Sequence, residues 1–207
     1  MSRPHCPRCQ RPVSHCLCAL IPSLSSQIRV VILQHPAEGR HALNTARWVA
    51  LGLGNARLLA GEAFGDGLAP YLTPRSALLF PGPEARVIGP PATFVPDQLL
   101  VLDGTWRKAR RLLYLNPLLA ALPRLTLPAG PASRYRLRKA PGPEALSTVE
   151  AVVTALNLLE QTGRFDALLA PFEAQIAAQI EAMGPEIYQR HYARRSLAGK
   201  VDCAGSP

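Results

Sequence analysis

The chain is predicted to form an α/β fold around a mostly parallel sheet, and three observations carry that prediction. Short apolar and β-branched runs alternate with helical patterns along the 207 residues, as strands joined by crossover helices require. With 48% apolar residues the chain can bury an ordinary core, and its length suits one domain with small appendages. The run Leu99-Leu100-Val101-Leu102 ends on Asp103, followed by Gly104 and a cationic helix. That order puts an acid at the carboxyl end of a strand, where open α/β sheets bind ligands.

The elements follow in order. Residues 1–20 hold four of the five cysteines, Cys6, Cys9, Cys16 and Cys18, in a C-x2-C-x6-C-x-C arrangement. Thiolate pairs at short spacing suit tetrahedral zinc better than disulfides in a reducing compartment. A small zinc knuckle is therefore expected; His5 and His15 flank it and could substitute as ligands, but four cysteines already complete a site. A linker over residues 21–26 leads to a first strand at 28–33. Gln34-His35-Pro36 reads as a turn, and a helix is expected over 44–53. Short strands are expected at 56–59 and at 76–80, the latter stopped by Pro81-Gly82-Pro83.

Strand 99–102 and helix 106–115 come next, with Asn116-Pro117 as the stop, and another strand fits residues 124–127. Residues 147–162 place Val149, Val152, Val153, Leu156 and Leu159 on one helical face, with Gly163 at the end. A last helical region is expected over 166–197, broken at Gly184-Pro185. The expected organisation is a knuckle over 1–20, a catalytic domain over 27–197 and a disordered tail over 198–207 that carries Cys203. The 21 prolines stiffen connectors, and neither an internal repeat nor a Walker A loop is present.

No apolar run reaches the roughly 18 residues of a membrane span, and the N-terminus lacks the apolar core of a signal peptide. A soluble, cytoplasmic protein is expected. Its net charge of +9 is unevenly spread: residues 107–143 contain nine Lys and Arg and no Asp or Glu. Charges kept for solubility alone would be mixed in sign, so this segment favours a polyanionic partner, nucleic acid first. A solvated cationic face is the plainer alternative.

Each motif has two readings. Asp103 and Thr105 are both placed to cap the helix that begins at Trp106, and Trp106 could be core. Against that stands the company of Arg107, Arg110 and Arg111, which share one helical face. Ser147-Thr148-Val149-Glu150 matches the capping box S-x-x-E, yet a helix start also attracts anions, and the preceding loop 140–146 is rich in Gly and Pro. Arg134, Arg136 and Arg138 alternate with Tyr135 and Leu137, so an extended segment would present all three to a phosphate backbone or to solvent.

Taken together these residues resemble the DTW-domain family. Asp103-Gly104-Thr105-Trp106 is similar to its D-x-T-W signature, and the cysteine spacing to its N-terminal cluster. Leu33-Gln34-His35-Pro36, Asn44-Thr45, Arg138-Lys139 and Leu146-Ser147-Thr148-Val149-Glu150-Ala151 fall in the family's order, so that the resemblance covers residues 5–165. It implies a tRNA-uridine aminocarboxypropyltransferase related to SPOUT enzymes: helices on both faces of the sheet and a C-terminal knot that binds bent S-adenosylmethionine.

By the same resemblance Leu102, Asp103, Gly104, Thr105, Leu137, Ala140, Leu146, Ser147, Thr148 and Glu150 belong to the cofactor pocket. His35, Asn44, Trp106, Arg107, Arg110, Arg111, Arg136, Arg138 and Lys139 face the RNA, and zinc on the four cysteines is structural or grips tRNA. The implied reaction forms acp3U at N3 of a uridine, which has to be unstacked to be reached. Asp103 is expected either to take the N3 proton or to anchor the methionine ammonium. A SPOUT-like RNA methyltransferase and a non-catalytic zinc-containing RNA-binding module remain alternatives, and monomer and homodimer both stay open.

Overall fold

A computed structural model describes residues 4–39, 41–89, 94–130, 133–135, 137 and 145–193. The strands are β1 (Arg29–Gln34), β2 (Ala56–Ala60), β3 (Ser76–Leu79), β4 (Arg86–Val87), β5 (Gln98–Asp103) and β6 (Arg124–Thr126). They form one sheet in the order β2-β1-β5-β3-β6-β4, with every neighbouring pair parallel. Helices are α1 (Pro36–Gly39), α2 (Ala46–Gly52), α3 (Trp106–Leu115), α4 (Pro117–Ala120), α5 (Thr148–Leu159), α6 (Leu169–Met183) and α7 (Pro185–Tyr188).

β1 and β5 are central and almost wholly buried, which is why they read as unbroken apolar runs. Side chains alternate along each strand and divide the core in two. Val30, Ile32, Leu99 and Val101 point to the face covered by α2, α5 and α6. Val31, Leu33, Leu100 and the partly buried Leu102 point to the other, where Leu68, Leu113 and Leu119 cover them. Helical segments thus lie on both faces of the sheet, as expected.

Helix α5 buries Val149, Val152, Val153, Leu156 and Leu159 on the main core, each worth about 1.5–3 kcal/mol relative to exposure. The last helical region is broken at the expected place: Gly184, at φ 84°, ends α6, and Pro185 opens α7. β4 was not expected, since two exposed residues carry no hydrophobic pattern. No helix among the described residues is long and apolar enough to cross a membrane.

Residues 194–207, with the expected tail and the end of the last helix, lie outside the described residues. So do Arg136, Arg138, Lys139 and Ala140. The segment between β6 and α5, where the resemblance puts the pocket loop of the knot, contains several of these positions.

Topology selects one crevice. β1 and β5 are neighbours, but the chain leaves β1 through α2 on the main core face and leaves β5 through α3 and α4 toward the opposite one. Where adjacent parallel strands send their connections to opposite sides, a cleft opens at their carboxyl ends. Here those ends are Gln34 and Asp103.

Candidate active site

The β1–β5 register pairs Gln34 directly with Asp103. Both continue the alternation that points Ile32 and Val101 to the main core, so their side chains emerge on the same face, under α2 and α5. Gln34 Nε2 donates to Asp103 Oδ2 at 2.8 Å and to Asn44 Oδ1 at 3.2 Å. The Thr148 hydroxyl donates to Asp103 Oδ1. Gln34, Asn44 and Asp103 are 2%, 7% and 7% exposed, so water does little to hold this carboxylate. Donors from β1 and α5 orient it instead.

The cap of α3 is Thr105, whose hydroxyl oxygen accepts the Lys108 N–H at 3.4 Å. Asp103 is the last residue of β5, and its carboxylate accepts from Gln34 and Thr148. Gly104 is needed for the tight approach of the segments around it. A Cβ there would stand 3.0 Å from Lys108 Cβ and 3.7 Å from His35 Cβ.

The other expected pocket residues are placed unequally. Thr148 and Ser147 stand at the first turn of α5 beside Asp103. Leu102 points its side chain into the opposite core layer, so only its backbone runs alongside. Leu137 is a buried core residue, Leu146 is half-buried before the capping box, and Thr105 is exposed. Glu150 is occupied by structure: Oε2 accepts from Ser147 N, Ser147 Oγ and Ser133 Oγ, and Oε1 from Arg134 N.

The expected RNA-facing residues divide in the same way. Arg107 and Arg110 are exposed on α3, with no ion-pair partner among the described residues. Arg111 pairs with Glu62 at 2.9 Å, and Lys108 with Glu38 at 2.6 Å. The acid-free basic segment is thus partly neutralised by carboxylates from elsewhere in the chain. His35 Nδ1 accepts the Ala37 N–H, which leaves Nε2 as the protonated nitrogen facing Glu62 Oε1 at 2.7 Å. Asn44 Oδ1 accepts from Gln34 Nε2 and from the Arg47 N–H. Trp106 is 39% exposed and tilts against Phe80 at 5.7 Å between ring centroids, so it is neither core nor wholly free.

In the sequence Gln34 belongs only to a turn and to a stretch in the family's order, and Glu62, Glu38 and Arg47 belong to none of the motifs. Gln34 had a signal: it ends an apolar run just as Asp103 does, and matching strand ends suggests the pair. Glu62 had none, because it meets Arg111 across 49 residues of sequence.

The four cysteines form a separate centre. Their sulfurs all lie within 4.8 Å of one another, with Cys6–Cys18 at 3.6 Å and Cys9–Cys16 at 3.8 Å. A tetrahedron of zinc–sulfur bonds near 2.3 Å has edges of about 3.8 Å, so the set fits a metal ion. Backbone N–H groups of Cys9 and Arg8 draw the Cys6 thiol down to about 6. Burial and the neighbouring sulfurs push Cys18 up to about 12. The two shifts favour the thiolate at Cys6 and the thiol at Cys18. Cys9 is fully buried and belongs to the main core, and Arg47 Nη1 donates to its carbonyl at 2.8 Å.

The chain is similar to several known proteins. A tRNA-uridine aminocarboxypropyltransferase 2 of Macaca fascicularis is 30% identical over 194 residues, covering 86% of this chain and 64% of the relative. Its Mus musculus counterpart is 32% identical with the same coverage. That of Drosophila melanogaster is 34% identical over 171 residues, covering 76% of this chain and 67% of the relative. The chain thus spans 64% of the length of the macaque and mouse relatives. No solved structure is significantly similar to it. The DTW domain matches residues 3–180, and the chain belongs to the DTW domain family.

Proposed function

We propose that the chain transfers the 3-amino-3-carboxypropyl group of S-adenosylmethionine to N3 of a uridine in tRNA, forming acp3U and releasing 5′-methylthioadenosine. The observation that carries the reading is Asp103, a buried carboxylate oriented by Gln34 and Thr148 at the sheet's switch point. The names of the family relatives supply the substrate class and the group transferred. A knotted SPOUT-like pocket closed by Leu102 to Thr105 and by the loop before α5 belongs to the same proposal.

S-adenosylmethionine, when bound, supplies a γ-carbon activated by its sulfonium. The chain's residues must present that carbon, and not the methyl group, to the nucleophile, so orientation is their first task. Asp103 fits two positions in such a site: beside uridine N3, where it takes the proton whose loss makes N3 nucleophilic, or beside the methionine ammonium. Arg107 and Arg110 lead from this edge toward phosphates, and Trp106 offers a half-exposed ring to an unstacked base. Zinc on Cys6, Cys9, Cys16 and Cys18 is structural in this scheme, in a knuckle over residues 1–20 that serves the catalytic domain.

Incubation with unmodified tRNA and S-adenosylmethionine, followed by mass spectrometry of nucleosides and by-product, tests the proposal. Aminocarboxypropyl-uridine with methylthioadenosine is expected. S-adenosylhomocysteine would reassign the chain to methyl transfer. Unchanged tRNA, bound equally well with and without S-adenosylmethionine, would make it a binding module.

A further inference from the structure

A line of polar contacts joins the two centres. Cys9 carbonyl accepts Arg47 Nη1 at 2.8 Å, and Arg47 Nη2 donates to the Gly39 carbonyl at 3.1 Å. The backbone N–H of Arg47 donates to Asn44 Oδ1 at 3.2 Å. That oxygen also accepts Gln34 Nε2, whose second hydrogen goes to Asp103 Oδ2. The two end links are distant in sequence, with Cys9 and Arg47 38 residues apart and Gln34 and Asp103 69, while the bonds between them are local.

The chemistry of the line is directional. The Gln34 amide has two N–H bonds, and both are committed, one to Asn44 and one to Asp103. Its orientation is therefore fixed by Asn44, which is fixed in turn by the first turn of α2. Arg47, on that same turn, is held by the cysteine loop through Cys9 and by the end of α1 through Gly39. Gly39 allows the close fit, since a Cβ there would stand 3.3 Å from Gln34 Oε1. A change in the cysteine loop thus has a hydrogen-bonded route to the carboxylate.

We propose that Gln34 is the positioning residue of Asp103 and that Arg47 ties it to the cysteine knuckle, so that metal binding in the knuckle and carboxylate orientation support each other. The proposal rests on the reading of Asp103 and the four cysteines given above. Coupling between two sites is reciprocal: if the knuckle steadies Asp103, loosening Gln34 must weaken the knuckle's hold on its metal. This second consequence can be read without any turnover.

The test loads the full chain with zinc and follows metal transfer to a chromophoric chelator. Gln34→Leu and Arg47→Met are expected to release zinc several-fold faster than the parent protein. Arg57→Met, at an exposed position on the edge strand β2, is expected to match the parent. Arg47→Lys keeps one donor for the Cys9 carbonyl and is expected to fall between, which covers the case that Arg47→Met does not fold. Release at the parent rate in Gln34→Leu and in whichever Arg47 variant folds overturns the proposal, whether or not the chain proves to be a transferase.

A second readout separates positioning from general support. Gln34→Glu sets a carboxylate against Asp103, and like charges at that distance raise one of the two pKa values. The acid limb of the activity profile should then move up by about one unit or more, a shift that loss of packing alone does not produce. An unmoved limb in an active variant counts against Gln34 as the positioning residue. If the chain lacks transferase activity, the zinc-release arm decides alone.

Discussion

The Thr148 hydroxyl donates to Asp103 Oδ1, joining the first turn of α5 to the last residue of β5 across 45 positions of sequence. Gln34 Nε2 donates to the other oxygen, Oδ2, at 2.8 Å. Asp103→Asn should preserve this frame, because its amide oxygen can accept from Gln34 while its NH2 donates to the Thr148 oxygen. The fold should survive with the charge removed. Turnover is expected to fall by about 10²- to 10⁴-fold, the usual contribution of a general base. Retained affinity for S-adenosylmethionine in equilibrium binding would assign the base role, and lost affinity the ammonium anchor.

The cations of α3 should separate by experiment as they do by contact. Arg107→Gln and Arg110→Gln remove exposed charges with no acid beside them, so each is expected to weaken tRNA binding and to lower the slope of log affinity against log salt by about 0.7–0.9. Lys108→Gln instead breaks the pair with Glu38. It is expected to cost up to about 1 kcal/mol of stability, with little effect on the salt slope. A steep loss of slope in Lys108→Gln, with none in Arg107→Gln, would invert this assignment.

Much of the sheet could be read from sequence because its central strands are buried on both faces and so spell unbroken apolar runs. The expected bounds of β1, β2, β3, β5 and β6 lie within a residue of those observed, and Gly184-Pro185 breaks the last helix because no backbone helix passes a φ of 84°. Asp103 and the cysteines could be found because their neighbours in sequence belong to the same turn or loop. The charge balance could not. Glu38, Glu62 and Glu173 reach Lys108, Arg111 and Arg134 from distant segments, and only the packing of the sheet brings them there. The acid-free stretch of sequence is therefore a less basic surface than its composition suggests.

Glu62 gives a prediction for pH. A hydrogen bond and charge from Arg111, with His35 adding to them, hold its carboxyl below the ordinary 4.5 despite opposing desolvation. A folded-state pKa lower than the unfolded one contributes stability that is complete above the unfolded value and lost as pH falls through the folded value. The stability gap between the parent protein and Glu62→Gln should thus be constant from neutral pH down to about 5 and close below about 4.5. Urea midpoints across that range measure it, and a gap undiminished well below the ordinary value would remove the pair with Arg111 as its source.

Glu150 tests whether the start of α5 is built for the fold or for a ligand. Its carboxylate is 5% exposed and accepts the Ser147 N–H at 2.8 Å, the Ser133 hydroxyl at 2.7 Å and the Arg134 N–H at 2.6 Å. Glu150→Ala would leave Ser147 as the cap of α5 but strand at least one buried donor, the Ser147 N–H. A stranded buried polar group costs about 1–3 kcal/mol and the lost bonds from Ser133 and Arg134 about 1 kcal/mol more, so a loss of about 2–4 kcal/mol is expected in urea or thermal unfolding. Glu150→Gln keeps an acceptor oxygen for Ser147 or Arg134 and should cost less. Were Glu150 mainly a ligand for S-adenosylmethionine, Glu150→Gln would reduce cofactor affinity while stability stayed at the parent level. The bond pattern predicts the opposite order, because both carboxylate oxygens already accept from Ser147, Ser133 and Arg134.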